Sequence, residues 1–371
     1  MEMLTEMEKA VLDRLADNPF AAQQDVAVSL GIPRPTLAMH ITQLTRKGYL
    51  LGRAYVLSKK DRLVCIGGST IDTVLLSDQP ISFKTSNPVT TIHNFGGVAR
   101  NVAENAARLG VDVSLISIVG DDESGRSLIA HLKGLGIDTS GVSVRPDLRT
   151  ATYTSVVTGS EAVVAFSDME IFDRLPSEFL DRFVQHFVSA TWVFADCNLP
   201  ASVLSALLQR KKGARFQLAL DAVSTTKAVR LPETLENVDA LFLREEEARS
   251  YIHENLDPPK LAQELARRGA KNVAVISRDF SVAVATPQEQ INIPAPKANI
   301  IDPGGANDAL VSTALAKLLM GADFISAVRH GTIGAAVTSE VVARIHPSLS
   351  PQLLDEAEER LKSEALSSGL L

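Results

Sequence analysis

Asn299-Ile-Ile-Asp302-Pro-Gly304-Gly305-Ala306-Asn307-Asp308-Ala-Leu310 runs from a strand-like entry through a glycine-bearing loop into an apolar helix expected to start at Ala309. Strand, short loop and helix in succession are the repeating unit of an α/β fold. Backbone N–H groups at a helix N-terminus, with little side chain in the way, form an anion site. A carboxylate placed there would repel a bound phosphate. It makes chemical sense as a base that takes the proton of a hydroxyl about to attack that phosphate. Asp308 would equally suit an ordinary turn in which it caps the helix.

The same alternation extends outward over most of the chain. Leu63–Gly67, Val113–Val119, Trp192–Ala195, Phe216–Asp221, Ala240–Leu243 and Val273–Ser277 are short apolar runs that read as strands. Val98–Leu109, Ser124–Leu135, Pro200–Arg210 and Pro259–Arg268 carry helical patterns between them. Alternation of this kind builds a mostly parallel sheet with helices on both faces, a three-layer α/β sandwich. Residues 77–95 and 150–167 break the rhythm and read as extended. Within them, Tyr153–Val157 and Ala162–Phe166 predict a hairpin turning at Gly159-Ser160. Such antiparallel pieces are expected to form a small β flap over a ligand.

Residues 1–60 follow a different plan. Leu4–Leu15 has a helical apolar stripe, Ala21–Leu30 is a second helix closed by Gly31, and Ile32–Thr36 reads as a tight turn into a third helix, Leu37–Lys47. Leu37, Ile41 and Leu44 face inward on that helix, and Gly48–Leu57 reads as two short extended runs around Gly52. This order resembles a winged helix-turn-helix, with Arg34, Thr36, His40 and Gln43 on the face that would enter a DNA major groove. A helical oligomerisation module without DNA contact would show the same pattern. Lys59-Lys60-Asp61-Arg62 is a charged linker, so the expected domains are 1–60 and 61–371.

Composition supports that division. The 371 residues carry a net charge of −7, which excludes a surface that binds nucleic acid over its whole extent. Residues 1–60 nevertheless hold eight basic against six acidic side chains, and the remainder 29 against 38. Cys65 and Cys197 both lie in strand-like apolar runs, which suits buried thiols in a reducing compartment. No Cys/His metal spacing occurs. The acidic N-terminus is unlike a secretion signal, and no apolar run approaches the ~20 residues of a membrane span. A soluble, cytoplasmic protein without membrane contact is the expectation.

Two further segments carry chemistry. In Asn94-Phe-Gly96-Gly97-Val-Ala-Arg100-Asn101, two glycines lead into an amphipathic helix whose first turn offers N–H groups and an amide to a polar ligand. In Gly67-Gly68-Ser69-Thr70-Ile71-Asp72, a carboxylate follows the first strand of the body, at the crevice where open α/β sheets bind ligands. A turn-forming aspartate would also account for Asp72.

Together the three segments resemble the PfkB, or ribokinase-like, carbohydrate and nucleoside kinases over residues ~62–365. The resemblance implies an ATP-dependent kinase with a ribokinase-like fold. Asp308 would be the catalytic base and the backbone of Gly305, Ala306 and Asn307 the anion hole. Asp72, Gly96, Gly97, Arg100 and Asn101 would hold the substrate. Glu247, in Arg244-Glu-Glu-Glu247, would organise Mg2+ through water, and Asp302 with Gly304 would lie by a monovalent cation such as K+. Ala195–Asn198, Leu220–Ser224 with Lys227, Ala165–Ile171 and His346–Ser350 are similar to the branch of the family that phosphorylates pseudouridine. Tyr153 and Asp168 would then face the acceptor from the flap, although Tyr153 would also serve to pack a hairpin.

Three positions depart from the family pattern. Asn307 stands where glycine is usual, and asparagine tolerates a left-handed backbone. Arg244 replaces an asparagine in the magnesium motif. Ser277-Arg278-Asp279 stands where a Thr-x-Gly turn commonly meets the nucleotide, with Asp279 placed to repel phosphate. A nucleoside or sugar acceptor and a homodimer are implied by the resemblance. The rival expectation is a transcriptional regulator whose kinase-like body senses its ligand.

Overall fold

A computed structural model describes residues 4–18, 21–47, 49–50, 61–159 and 161–367. The chain divides into two compact units, Met1–Ser58 and Lys59–Leu371.

The first unit holds α1 (Glu6–Asp17), α2 (Gln23–Ser29) and α3 (Arg34–Arg46) around Val11, Val26, Ala27, Leu37 and Leu44. Thr5 and Glu8 close a capping box on α1, and Lys47 Nζ donates to the buried Glu8 carboxylate at 2.8 Å. The third helix begins earlier than the sequence suggests. Pro33 is its N-cap and Pro35 lies in its first turn, where a missing N–H removes no helical bond. Arg34 and Thr36 therefore ride on the helix, not on a turn before it. The expected wing lies almost wholly outside the described residues, as do Lys59 and Lys60 of the linker.

The second unit is built on a nine-stranded sheet. Its strands are β1 (Arg62–Ile66), β4 (Asp112–Gly120), β5 (Asp138–Arg145), β8 (Trp192–Asp196), β9 (Gln217–Asp221), β10 (Ala240–Arg244), β11 (Val273–Ile276), β12 (Val282–Ala285) and β13 (Gln290–Ile293). The order is β13-β12-β11-β10-β9-β8-β1-β4-β5, parallel except for the antiparallel edge β11-β12-β13. A four-stranded sheet, ordered β3-β2-β6-β7, comprises β2 (Thr70–Ser77), β3 (Thr90–Gly96), β6 (Thr152–Thr158) and β7 (Glu161–Asp168).

Helices cover both faces of the large sheet. They are α4 (Val98–Arg108), α5 (Glu123–Gly134), α6 (Glu170–Asp173), α7 (Val184–Ser189), α8 (Ala201–Lys211), α9 (Thr225–Ala228), α10 (Glu245–Ile252), α11 (Pro258–Arg267), α12 (Ala306–Leu319), α13 (Phe324–Ser339) and α14 (Pro351–Ser367). Side chains of β1 alternate between two cores. Val64 and Ile66 belong to the core that includes Leu204 of α8 and Leu261 of α11, while Leu63 and Cys65 belong to the one that includes Val102 of α4, Leu128 of α5 and Leu310 of α12. The three-layer, ribokinase-like α/β architecture follows from this alternation.

Several local expectations need correction. Residues 78–89 connect two strands and are not themselves extended sheet, and β2 starts at Thr70, so Asp72 lies inside a strand of the small sheet. The segment before Asp302 is not a strand, because β13 ends at Ile293 and residues 294–300 are irregular. Finally, α12 starts at Ala306 with Gly305 as its left-handed N-cap, φ 85°. Asn307 thus lies within the helix, and the left-handed conformation expected of it belongs to Gly305.

Candidate active site

Strand order reverses at β1, since the chain leaves it for β4 on one side and later places β8 on the other. Connections that diverge at such a switch point leave a crevice beyond the C-terminal ends of the strands. A cleft of about 490 Å3 occupies this place, lined by residues that follow β1, β8, β9, β10 and β11 and roofed in part by the small sheet.

Asp308 stands in the first turn of α12 and accepts a 2.6 Å hydrogen bond from Asn101 Nδ2 in the first turn of α4. Burial lifts its carboxyl to about 6, against the Asn101 bond and the charges of Arg100 and Arg344. A carboxylate so poised is ionised near neutral pH and basic enough to accept a proton. Asp72 faces the same cleft. Its carboxyl is also raised by burial, while the 2.7 Å bond from Thr70 Oγ1 and the charges of Arg344 and Arg100 act the other way.

The start of α4 is fixed by two devices. Gly97 adopts φ 92°, and a Cβ there would collide with the backbone of Gly68. Asp196, at the end of β8, accepts from the backbone N–H groups of Ala99 (2.7 Å), Gly68 (3.0 Å) and Asn198 (2.9 Å). One buried carboxylate thereby ties three segments of the cleft together.

The structure separates the residues singled out in the sequence. Asp72, Gly97, Asn101, Tyr153, Glu247, Gly304, Gly305, Asn307 and Asp308 all line the cleft. Arg100 does not. Its guanidinium is buried beneath α4, bonded to Glu104 at 2.6 Å and to Asn101 Oδ1, Phe95 O and Gly96 O. It supports the Asn101 amide from behind. Gly96 lies behind Asp72, where a Cβ would collide with the carboxylate. Asp168 is exposed and does not line the cleft, although Ser167, before it in β7, and Met169, after the strand, both do. Ala306 is fully buried, and Asp302 Oδ1 accepts from Gly304 N at 2.8 Å without lining the cleft.

Among the lining residues that carried no assigned role in the reading of single residues are Asn198, Asp221, Lys227 and Arg344. Asn198 and Asp221 sit at the ends of β8 and β9, a position that marks ligand contact in any parallel sheet. Lys227 donates to Asn198 Oδ1 from α9. Arg344 comes from the irregular segment between α13 and α14.

Two carboxylates, Glu247 and Asp221, are the donors that could meet magnesium in the cleft. Arg244 occupies Glu247 through its backbone N on Oε2 (2.8 Å) and its Nε and Nη2 on Oε1 (2.7 and 2.6 Å). Asp221 faces the same region, and burial with the neighbouring charges of Glu247 and Asp308 raises its carboxyl well above the usual range. Hard carboxylate oxygens that repel one another suit a divalent cation carried in on nucleotide phosphates and touched through water. Among the described residues, no three His, Cys, Asp or Glu side chains converge into a site that would hold the ion alone. Asp279 does not reach the cleft, since its Oδ1 accepts from Ser281 N and Oγ at 3.0 and 2.7 Å.

In the N-terminal unit, Arg34 is exposed, while Thr36, His40 and Gln43 are half-buried. The open face of α3 runs through Pro35, Met39, Thr42 and Arg46. Among the described residues no helix is long and apolar enough to cross a membrane.

Comparison with known proteins agrees with this geometry. Residues 60–349 match the pfkB family carbohydrate kinases, and residues 4–50 match a winged helix-turn-helix DNA-binding family. An uncharacterised sugar kinase, YeiI, of Escherichia coli (strain K12) is 29% identical over 92% of this chain and 96% of its own. A pseudouridine kinase of the same organism is 28% identical over 73% of this chain and 88% of its own. Among solved structures, a carbohydrate kinase from Agrobacterium tumefaciens superposes with a TM-score of 0.71 at 26% identity, covering 81% of this chain and 97% of that one.

Proposed function

The chain belongs to the pfkB family of carbohydrate kinases, ATP-dependent phosphotransferases with hydroxyl acceptors, and we propose that its own acceptor is a nucleoside, pseudouridine, phosphorylated at the 5′-hydroxyl. The observation that carries this reading is the Asn101–Asp308 pair, a base held in the first turn of α12 in one cleft with Asp72. The similarity to a pseudouridine kinase supports the choice of acceptor.

Asp308 takes the proton of the 5′-hydroxyl as its oxygen attacks the γ-phosphorus of ATP in line. Backbone N–H groups at Gly305, Ala306 and Asn307 receive the charge on the transferring phosphoryl. Asp72 and Asn101 hold ribose hydroxyls, and Tyr153 with Ser167 closes the cleft from the small sheet. Asp221 and Glu247 would hold the magnesium that accompanies ATP, which would supply positive charge at the phosphates. A monovalent cation near Asp302 and Gly304, and pairing of two copies through the small sheet, complete the reading. An enzyme that draws on ATP and carries two free, buried cysteines fits the cytoplasm.

The test is ADP release with ATP and magnesium against pseudouridine, uridine, inosine, ribose and fructose 6-phosphate. Turnover confined to pseudouridine is expected; turnover confined to a free sugar refutes the nucleoside reading. A second reading, a ligand-responsive regulator of transcription, draws on the helix-turn-helix match over residues 4–50. Retardation of DNA from upstream of the protein's own gene, altered by the nucleoside, is its expected signature. Absence of retardation under every condition removes it.

A further inference from the structure

The end of the cleft beside α12 holds a cation that the assignments above leave unused. Arg344 lines the cleft with Gly304, Gly305, Asn307 and Asp308. Two glycines make room for it. A Cβ on Gly304 would collide with the Arg344 guanidinium, and one on Gly305 with the Arg344 backbone carbonyl. Both the side chain and the segment that carries it are thus pressed against the loop that starts α12.

Other arginines around the cleft are neutralised by close carboxylates: Arg100 by Glu104, Arg230 by Asp173 and Arg244 by Glu247. Among the described residues the Arg344 guanidinium has neither a hydrogen bond nor a close ion pair, yet its charge is felt by both Asp72 and Asp308. A guanidinium is a planar fork of five N–H donors that matches phosphoryl oxygens. This one lies between the acceptor end of the cleft and the helix terminus that faces the phosphates. An anionic acceptor is disfavoured there, because Asp72 and Asp308 flank the place where it would bind.

We propose that Arg344 is a catalytic residue that contacts the phosphoryl group in transit from ATP to the acceptor. The inference rests on the kinase reading of the cleft. The acceptor oxygen forms a bond to the γ-phosphorus, and the bond to the β,γ-bridging oxygen breaks with its electron pair leaving on ADP. The hydroxyl proton passes to Asp308. Arg344 keeps its protons and donates hydrogen bonds to the non-bridging oxygens, whose charge is greatest as the group moves.

The experiment measures, on the full chain with magnesium, the dissociation constants of ADP alone and of ADP with aluminium fluoride, a planar mimic of the moving phosphoryl. In Arg344→Gln the tightening produced by fluoride should shrink roughly a hundredfold, with ADP alone changed less than about threefold. Arg344→Lys, which keeps the charge but not the fork, should retain an intermediate part, and it decides the matter if the glutamine variant does not fold. Fluoride tightening that survives in Arg344→Gln, or equal weakening of ADP alone, overturns the proposal. In turnover assays kcat should fall while the acceptor KM holds; a raised acceptor KM with kcat intact also overturns it. If the wild-type chain phosphorylates none of the acceptors, the nucleoside reading fails, while the fluoride measurement needs no acceptor and still decides the role of Arg344.

Discussion

Asp308 concentrates the chemistry in a single carboxyl whose acidity is set by opposing influences. Burial raises it to about 6, and Asn101, Arg100 and Arg344 restrain the rise. The reacting form is the ionised one, so kcat should climb with pH through about 6 and level off above it, as a pH–rate profile would read. Asp308→Asn removes the base and keeps the shape. It should lower kcat on the order of a thousandfold while calorimetry finds acceptor affinity little changed. Equal loss of affinity would mark Asp308 as structural. One step back, Arg100 presents Asn101 to Asp308 from a buried pair with Glu104. Glu104→Gln leaves that guanidinium uncompensated, so a lower thermal midpoint together with an altered pH–rate profile is expected.

At the scale of elements, the turn between β3 and α4 has the least freedom. Gly97→Ala must force a side chain into φ 92° and against Gly68, a cost on the order of 3 kcal/mol or more that thermal unfolding of the body would register. In the N-terminal unit, Lys47 and Thr5 hold the Glu8 carboxyl at about 2, below its ordinary 4.5. Stability from that lowered acidity is present above pH 4.5 and is lost as pH falls toward 2. Glu8→Gln should therefore flatten the acid limb of this unit's unfolding. Elements with a strong apolar period were legible in the sequence: α4 (Val98–Arg108) and β8 (Trp192–Asp196) match their expected spans to within a residue. Strands with mixed or polar composition escaped notice, such as β2 (Thr70–Ser77) and edge strand β5 (Asp138–Arg145), because partner strands and not local pattern define them. The site divides the same way. Asp308 and Asn101 announce themselves beside glycines, whereas Arg344 reaches the cleft from an irregular segment that no local signal marks. Arg100, expected beside the ligand, is instead buried; adjacency to Gly97 says nothing of which helix face is buried.

For the whole molecule, the division at Ser58 and Lys59 carries its own expectation. A chain beginning at residue 59 contains every cleft residue named above and should keep turnover within about twofold, as a coupled assay would show. Loss of activity on this truncation would mean that the N-terminal unit is needed by the body. The small sheet has a further consequence. Its strands enter the body as two excursions, β2 and β3 between β1 and α4, and β6 and β7 between β5 and α6. Gly305, Asn307, Asp308 and Glu247 lie on other parts of the chain altogether. Mutational drift in the two excursions can thus remodel what is recognised while the phosphate end stays as it is. A lineage built on this plan explores new acceptors by changing one wall of its cleft and inheriting the other.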